Sequence, residues 1–433
     1  MTLIRQSTPG LPANDSPQWS ALRAAILIVV LTGLRLPFLN HPTPVTVDET
    51  YFILGLGFPA EYPVHHPGYP LWVALGTVLH AAGLDAYRSY QAWSLAASLA
   101  GPLLFYVGLR RLLADGPAWW LALAWGVNPL VWFQSVTALS YMTAGVVGLL
   151  VLGASYRAIV EGQGRGALQA AAWLVVTILL RADYLVYLGP LVLVAACLYW
   201  RRGGRPTLLI LVLGVAALVA VTWLLYHRVE PTGPRPTLGH TVDVILGTSV
   251  FRLGLVDGLV RNLVKIALNL GWDFGVAVLL LVWAVWRVLR NRGLPSRRGL
   301  FLILWTLPAI CFLCLMHVVQ GYFMLLLPAG YLLIGIAASE RWGPAKAWRI
   351  AAALAICSTA QFLFYPWSAE SSGFKRLLDA KIAFQSASGI RQIDKLELIH
   401  TPGDFWPTAV HTLSSNATSE RFDRPSLRIA IRR

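Results

Sequence analysis

Two adjacent carboxylates, Asp48 and Glu49, sit in the stretch Thr46-Val47-Asp48-Glu49-Thr50-Tyr51-Phe52, just past a hydrophobic run, in a chain with only 20 acidic residues among 433. Burial against apolar surface disfavours the charged form of a carboxylate and raises its basicity, which suits a general base for an acceptor hydroxyl. The residues from Tyr51 to Phe58 are apolar enough to lie in a headgroup region and hold the pair at the lipid–water boundary. A solvated loop acid accounts for the same spacing without chemistry.

Other reactive types fall into short groups. His65-His66-Pro67-Gly68-Tyr69-Pro70 reads as a rigid turn opening a helix, with adjacent histidines a weak metal signal. In Leu179-Leu180-Arg181-Ala182-Asp183-Tyr184-Leu185, Arg181 and Asp183 interrupt two apolar runs, where ionisable groups are costly and default to a functional reading. Arg181 suits bidentate binding of a phosphate, with Asp183 orienting it or idle; a local turn with a snorkelling arginine is the plainer account. His317, Gln320 and Tyr322 fall within one short connection between apolar runs and could meet a headgroup there. Asp257, Arg261 and Lys265 recur every four residues on a Val, Leu and Ile-rich helix, a polar stripe that solvates one face or attracts a lipid phosphate. Arg35 near the end of the first apolar run could snorkel or serve the same anion.

The elements that must position these groups are set by composition. The chain is 57% hydrophobic and 13% charged, the profile of a polytopic membrane protein. Its net charge of +15 lacks basic blocks interleaved with stacking aromatics, so no nucleic-acid partner is expected. All four cysteines lie in apolar runs and read as packing.

A spanning helix needs about 20 apolar residues. Eleven segments qualify: roughly 21–39, 89–109, 118–134, 141–157, 167–181, 184–200, 207–227, 273–289, 299–316, 322–338 and 348–365. Pro70 to Leu84 is short, opens on a Pro-Gly turn and carries His80, which fits an interfacial helix. With the N-terminus cytoplasmic, the connections holding Arg110, Arg111, Arg157, Arg201, Arg202 and the arginines from 287 to 298 all fall inside, as the positive-inside rule asks. Asp48, Glu49, Asp183 and Asp257 then face outward. The expected organisation is a cytoplasmic segment 1–20, a transmembrane catalytic domain 21–365 with outer loops about 40–88 and 228–272, and a short extracytoplasmic tail 366–433. Long loops on one side of a rigid scaffold place the work at the outer face.

The order of one apolar span, then Val47 to Phe52 ("VDETYF"), then "HHPGYPLWVALG", then a span ending in "LRRLL", resembles the membrane glycosyltransferases of the GT-C superfamily, which include protein O-mannosyltransferases and the aminoarabinose transferase of lipid A. The segment "NPLVWFQSVTALSYM" is similar to the corresponding segment of one O-mannosyltransferase-like branch. The resemblance covers about residues 20 to 340 and is strongest from 45 to 185. It implies an all-α polytopic fold with interfacial helices in the first outer loop. It also implies transfer of a sugar from a polyprenyl-phosphate donor to a protein, glycan or lipid acceptor, with inversion at the anomeric carbon.

By position the catalytic base of that family looks like Asp48, with Glu49 beside it, and its outward basic position looks like Arg181. The expected donor-phosphate ligands are Arg181, which the resemblance supports, and Arg261, Lys265 and Arg35; the expected site lining is His65, His66, Tyr69, Asp183, His317, Gln320 and Tyr322. It implies no metal and no cofactor. The expected setting is a bacterial plasma membrane, with membrane lipids as further partners. A transporter or lipid flippase is the rival reading; it asks for repeated halves and mid-bilayer charges, and no internal repeat is visible.

Overall fold

The computed structural model describes residues 17–36, 39, 47–57, 69–201, 212–220, 249–275, 277–290, 296–316, 318, 320–364, 395–400 and 427–432. The chain opens with α1 (Pro17–Arg35), the short α2 (Val47–Gly57) and α3 (Pro70–Ala81), then α4 (Ala86–Leu109). Next come α5 (Asp115–Gly126), α6 (Pro129–Ser135), α7 (Tyr141–Ile159), α8 (Gly164–Leu180) and α9 (Tyr184–Trp200). Helix α10 covers 212–220. It is followed by α11 (Leu255–Phe274), α12 (Ala277–Arg290), α13 (Arg297–Leu315), a 3-10 turn Gln320–Leu325, α14 (Leu326–Trp342) and α15 (Pro344–Phe364).

Local chemistry marks several starts. The Asp85 carboxylate accepts the Arg88 amide at 2.8 Å at the head of α4, and Ser296 accepts the Gly299 amide at 3.1 Å at the head of α13. Asn128 caps α6 by accepting the Leu130 amide at 3.0 Å, with Pro129 at the first helical position, where its missing N–H costs nothing. That Asn-Pro pair divides the expected span 118–134 into two helices. Among the described residues, five helices are long and apolar enough to cross a membrane: Gln18–Arg35, Ala86–Leu109, Tyr141–Ile159, Arg297–Leu315 and Gly321–Trp342. The apolar helices Gly164–Leu180, Tyr184–Trp200 and Ala277–Val288 are shorter, as is the 12-residue α3.

Packing follows the logic of a hydrocarbon solvent, where close backbone approach replaces the hydrophobic drive. A Cβ at Gly166 of α8 would stand 2.7 Å from the Ala154 carbonyl oxygen of α7, so that pair of helices is held together across small residues. Outward positions are apolar instead: Val29, Leu193, Leu279, Val282 and Ile356 are each more than 60% exposed. Such a surface suits lipid and not water.

Helices α2 and α3 dock on α4 through aromatic rings. Trp72 stacks on Tyr90 at 5.1 Å between centroids, and Phe52 meets Tyr69, Trp72 and Tyr90 at 5.4 to 6.4 Å. Gly76 leaves room for the Tyr90 ring, which a Cβ at that position would overlap. The expectation of an all-α chain has one exception, an antiparallel pair of β1 (Lys395–His400) and β2 (Leu427–Arg432), in register from Lys395 opposite Arg432 to His400 opposite Leu427. Both strands come from the tail. The rest of the tail, residues 221–248, His65, His66 and His317 lie outside the described residues.

Candidate active site

Arg181 ends α8: its backbone is extended, at φ −157° and ψ 112°, and its amide donates to the Thr177 carbonyl at 2.7 Å. The turn to α9 is so short that Asp183 folds back on the guanidinium. Nε donates to Asp183 Oδ1 and Nη2 to Oδ2, each at 3.1 Å, while Nη1 donates to Ser140 Oγ at 3.2 Å. The side chain is 4% exposed, so the pair is made away from bulk solvent. Burial by itself disfavours the charged guanidinium, and Asp183 with the surrounding ring faces offsets that cost.

Three tyrosines from distant parts of the chain face the same cation. Its Cζ lies 3.8 Å from the ring centre of Tyr141, 5.1 Å from Tyr69 and 5.6 Å from Tyr322. Each cation–π contact contributes about 0.5 to 2 kcal/mol, more where water is excluded. A guanidinium has five N–H donors. Asp183 and Ser140 engage three of them, which leaves one donor on each Nη.

The scaffold around this cage is specific. Tyr69 adopts the left-handed conformation, φ 47° and ψ 56°, the one positive φ outside glycine among the described residues. The strain, of order 1–3 kcal/mol, is carried where Pro70 opens α3 and the ring is pinned between Phe52 and Arg181. Gly321 lies so close to Tyr141 that a Cβ would overlap the ring, so the glycine admits one cage tyrosine beside the next, Tyr322. Tyr141 and Tyr322 meet edge to face at 5.9 Å, and Tyr187 packs on Tyr322 at 6.0 Å.

The link 136–140 that delivers Ser140 is non-helical yet wholly buried, so its backbone polar groups need partners. Side chains supply them. Gln91 donates to the Val136 carbonyl at 2.8 Å, Ser94 to the Leu139 carbonyl at 3.0 Å, and the Ala138 amide donates to Glu49 Oε1 at 2.6 Å. Glu49 is 0% exposed and thereby fastens α2 onto the segment that carries Ser140 and Tyr141. Asp48 occupies the preceding position of the same helix.

The structure thus gathers Arg181, Asp183, Tyr69 and Tyr322, with Glu49 one link away. The side chains of Asp48 and Gln320 lie outside the description, as do His65, His66 and His317. Arg261 and Lys265 lie on α11, where Arg261 Nη2 donates to Asn262 Oδ1 at 3.2 Å and Asn262 to the Cys314 carbonyl at 2.9 Å, at the end of α13 next to the Tyr322 turn. Arg35 does not snorkel. It is 1% exposed and donates to the Leu31 carbonyl of its own helix at 3.0 Å and the Gly126 carbonyl at 2.9 Å, tying α1 to α5, because the carbonyl freed at the end of α5 lies within its reach. Sequence reasoning missed Ser140, Tyr141, Tyr187 and Gly321. A signal was present for two of them, since Ser140-Tyr141 is a polar and amphipathic pair at the start of a span.

No family model and no curated protein matches the sequence. Solved structures do. The crystal structure of ArnT from Cupriavidus metallidurans bound to undecaprenyl phosphate is 16% identical, covers 87% of this chain and 79% of its own, and superposes with a TM-score of 0.54. ArnT in the apo state (14% identity, 87% and 81% covered) gives 0.49. The apo oligosaccharyltransferase of Archaeoglobus fulgidus (14%, 84% and 56% covered) gives 0.47. At such identity the likeness speaks for architecture alone. The helices of this chain share the fold of ArnT.

Proposed function

We propose that this chain is an inverting membrane glycosyltransferase that moves a sugar from a polyprenyl-phosphate donor to an acceptor hydroxyl at the outer face of a bacterial plasma membrane. The observation that carries the reading is the buried Arg181 cage, whose guanidinium keeps a donor on each Nη while Asp183 and three aromatic faces hold it in place. Two such donors bridge two oxygens of a phosphate, and a charge held in a dry site needs no reorganisation as the leaving phosphate gains charge. The fold likeness to a protein crystallised with undecaprenyl phosphate supports a lipid phosphate as the anion.

In the reaction, the acceptor oxygen attacks C1 of the sugar and its proton passes to the Asp48 carboxylate. The bond from C1 to the phosphate oxygen breaks, and the electron pair leaves on the lipid phosphate beside Arg181. Glu49 positions Asp48 by its bond to Ala138. Asp183 orients Arg181 and partly offsets its charge. Arg261 and Lys265 attract the donor phosphate, and His65, His66, His317 and Gln320 line the approach. Arg35 serves the α1–α5 contact. The Arg181 end of the helices faces outward and the arginine-rich end faces the cytoplasm.

The test is a transfer assay with a panel of polyprenyl-phosphate sugars, run beside thermal stabilisation of the purified protein by each donor. One donor stabilises the wild type. Asp48→Asn keeps that stabilisation and loses about 10² to 10⁴ in turnover, the range of a general base. If no lipid-phosphate sugar shifts the melting curve of well-folded protein, the transferase reading fails and transport becomes the better account.

A further inference from the structure

In the half of the bundle away from Arg181, a cavity of about 190 Å³ opens among α4, α7, α8, α13 and α14. Leu104, Leu149, Trp173 and Trp305 make an apolar wall. Two glycines keep the space open: a Cβ built at Gly108 of α4 or at Gly153 of α7 meets no atom within 4 Å, and both residues are exposed. Helix-interior glycine is disfavoured by roughly 1 kcal/mol relative to alanine, and at these two positions no close packing calls for it.

The rim is cationic. Arg111 and Arg157 line the cavity, and Arg298 reaches the hydroxyl of Tyr156, another lining residue. Glu161 is the acid that faces them, and it accepts from Arg111 at 3.2 Å and from Gln163 at 2.9 Å. Arg157 has a neutral partner, donating to Gln169 Oε1 at 2.8 Å. An apolar slot beside an excess of arginines at a helix-bundle end matches a lipid with an anionic headgroup.

We propose that this cavity holds a segment of one acyl chain of an anionic phospholipid from the leaflet at that end, with its phosphate between Arg111 and Arg157. The site is separate from the Arg181 cage and does not rest on the transferase reading. Filling the slot restores the dispersion contacts that an empty apolar cavity forfeits.

The experiment uses delipidated full-length protein with three probes: palmitoyl-oleoyl phosphatidylglycerol, phosphatidylcholine with the same chains, and undecaprenyl phosphate. Native mass spectrometry counts adducts and a melting curve reads stabilisation. Phosphatidylglycerol forms a one-to-one adduct and raises the melting temperature more than phosphatidylcholine does. Arg111→Gln and Arg157→Gln each weaken that adduct roughly fivefold. Gly108→Leu with Gly153→Leu fills the slot, removes the adduct and leaves the lipid-free melting temperature at or above the wild type. Arg181→Gln leaves the adduct unchanged. Equal binding of the two phospholipids, or an adduct that survives in the leucine pair, overturns the proposal. So does undecaprenyl phosphate displacing phosphatidylglycerol, which would assign the slot to a polyprenyl tail. Because the two arginines stand at exposed and half-buried positions, their variants decide the question even if the leucine pair misfolds.

Discussion

Each end of the helix bundle buries a charge, Asp115 at one and Arg181 at the other. Asp115 has an 8% exposed side chain and is ion-paired with Arg23 of α1 and with Arg110, just past the end of α4, at 2.7 Å; Tyr106 donates to it at 2.6 Å. Partners from separate helices converge on one acid, and two full positive charges face one negative. Arg181 is built the other way. Its acid comes from its own turn two residues on, its other surroundings are a hydroxyl and three ring faces, and one N–H on each Nη is left over. A centre that joins separate elements is a clamp. A centre held rigid by its own turn keeps donors in reserve.

The comparison breaks most directly at Asp115. Asp115→Asn takes the carboxylate from two half-buried arginines and lowers stability by about 1 to 3 kcal/mol, while transfer per folded molecule stays at the wild-type level. Denaturation curves in detergent beside active-site-normalised rates check both halves; a large rate loss in folded protein would make this end part of the site. Arg181→Gln gives the converse, a loss of about 10² to 10³ in transfer together with loss of donor-induced stabilisation. Arg181→Lys does not rescue it, because a point charge cannot span Asp183, Ser140 and a phosphate at once.

Gly321→Ala sharpens the account of the cage. The new methyl overlaps Tyr141, and relieving it costs about 1 to 3 kcal/mol; a several-fold higher KM for the donor with smaller change in kcat is the expected signature. The smallest effect concerns pH. An arginine guanidinium keeps its proton across the accessible pH range. Donor-induced stabilisation is therefore flat between about pH 6 and about pH 9 on account of this residue. A slope there, measured by melting curves with and without donor, would assign the phosphate to a different group.

Much of this is legible in the chain. Arg181 and Asp183 announce themselves by interrupting two apolar runs, because a charge at the edge of a membrane segment is expensive enough to need a reason. Tyr69 and Tyr322 stand out through their motifs. Glu49 reads in the sequence as a partner in catalysis, whereas its carboxylate accepts the Ala138 amide 89 residues away. That bond exists only because α6 breaks off at Ser135 and leaves a buried loop whose amides need acceptors, a demand no local pattern displays. Arg35 misleads for a similar reason: its carbonyl partner on Gly126 is 91 residues distant.

Hydropathy and charge by themselves determined that this chain is a bundle of apolar helices with an arginine-rich end, since both depend on composition summed over a window. They also located the two residues of the Arg181 turn, because i and i+2 neighbours meet through local geometry. The three tyrosines, Ser140 and the glycine that admits them converge from segments spread between residues 69 and 322. Only tertiary packing decides such a meeting, since the rings gain their cation by sharing one point in space and not by any spacing along the chain.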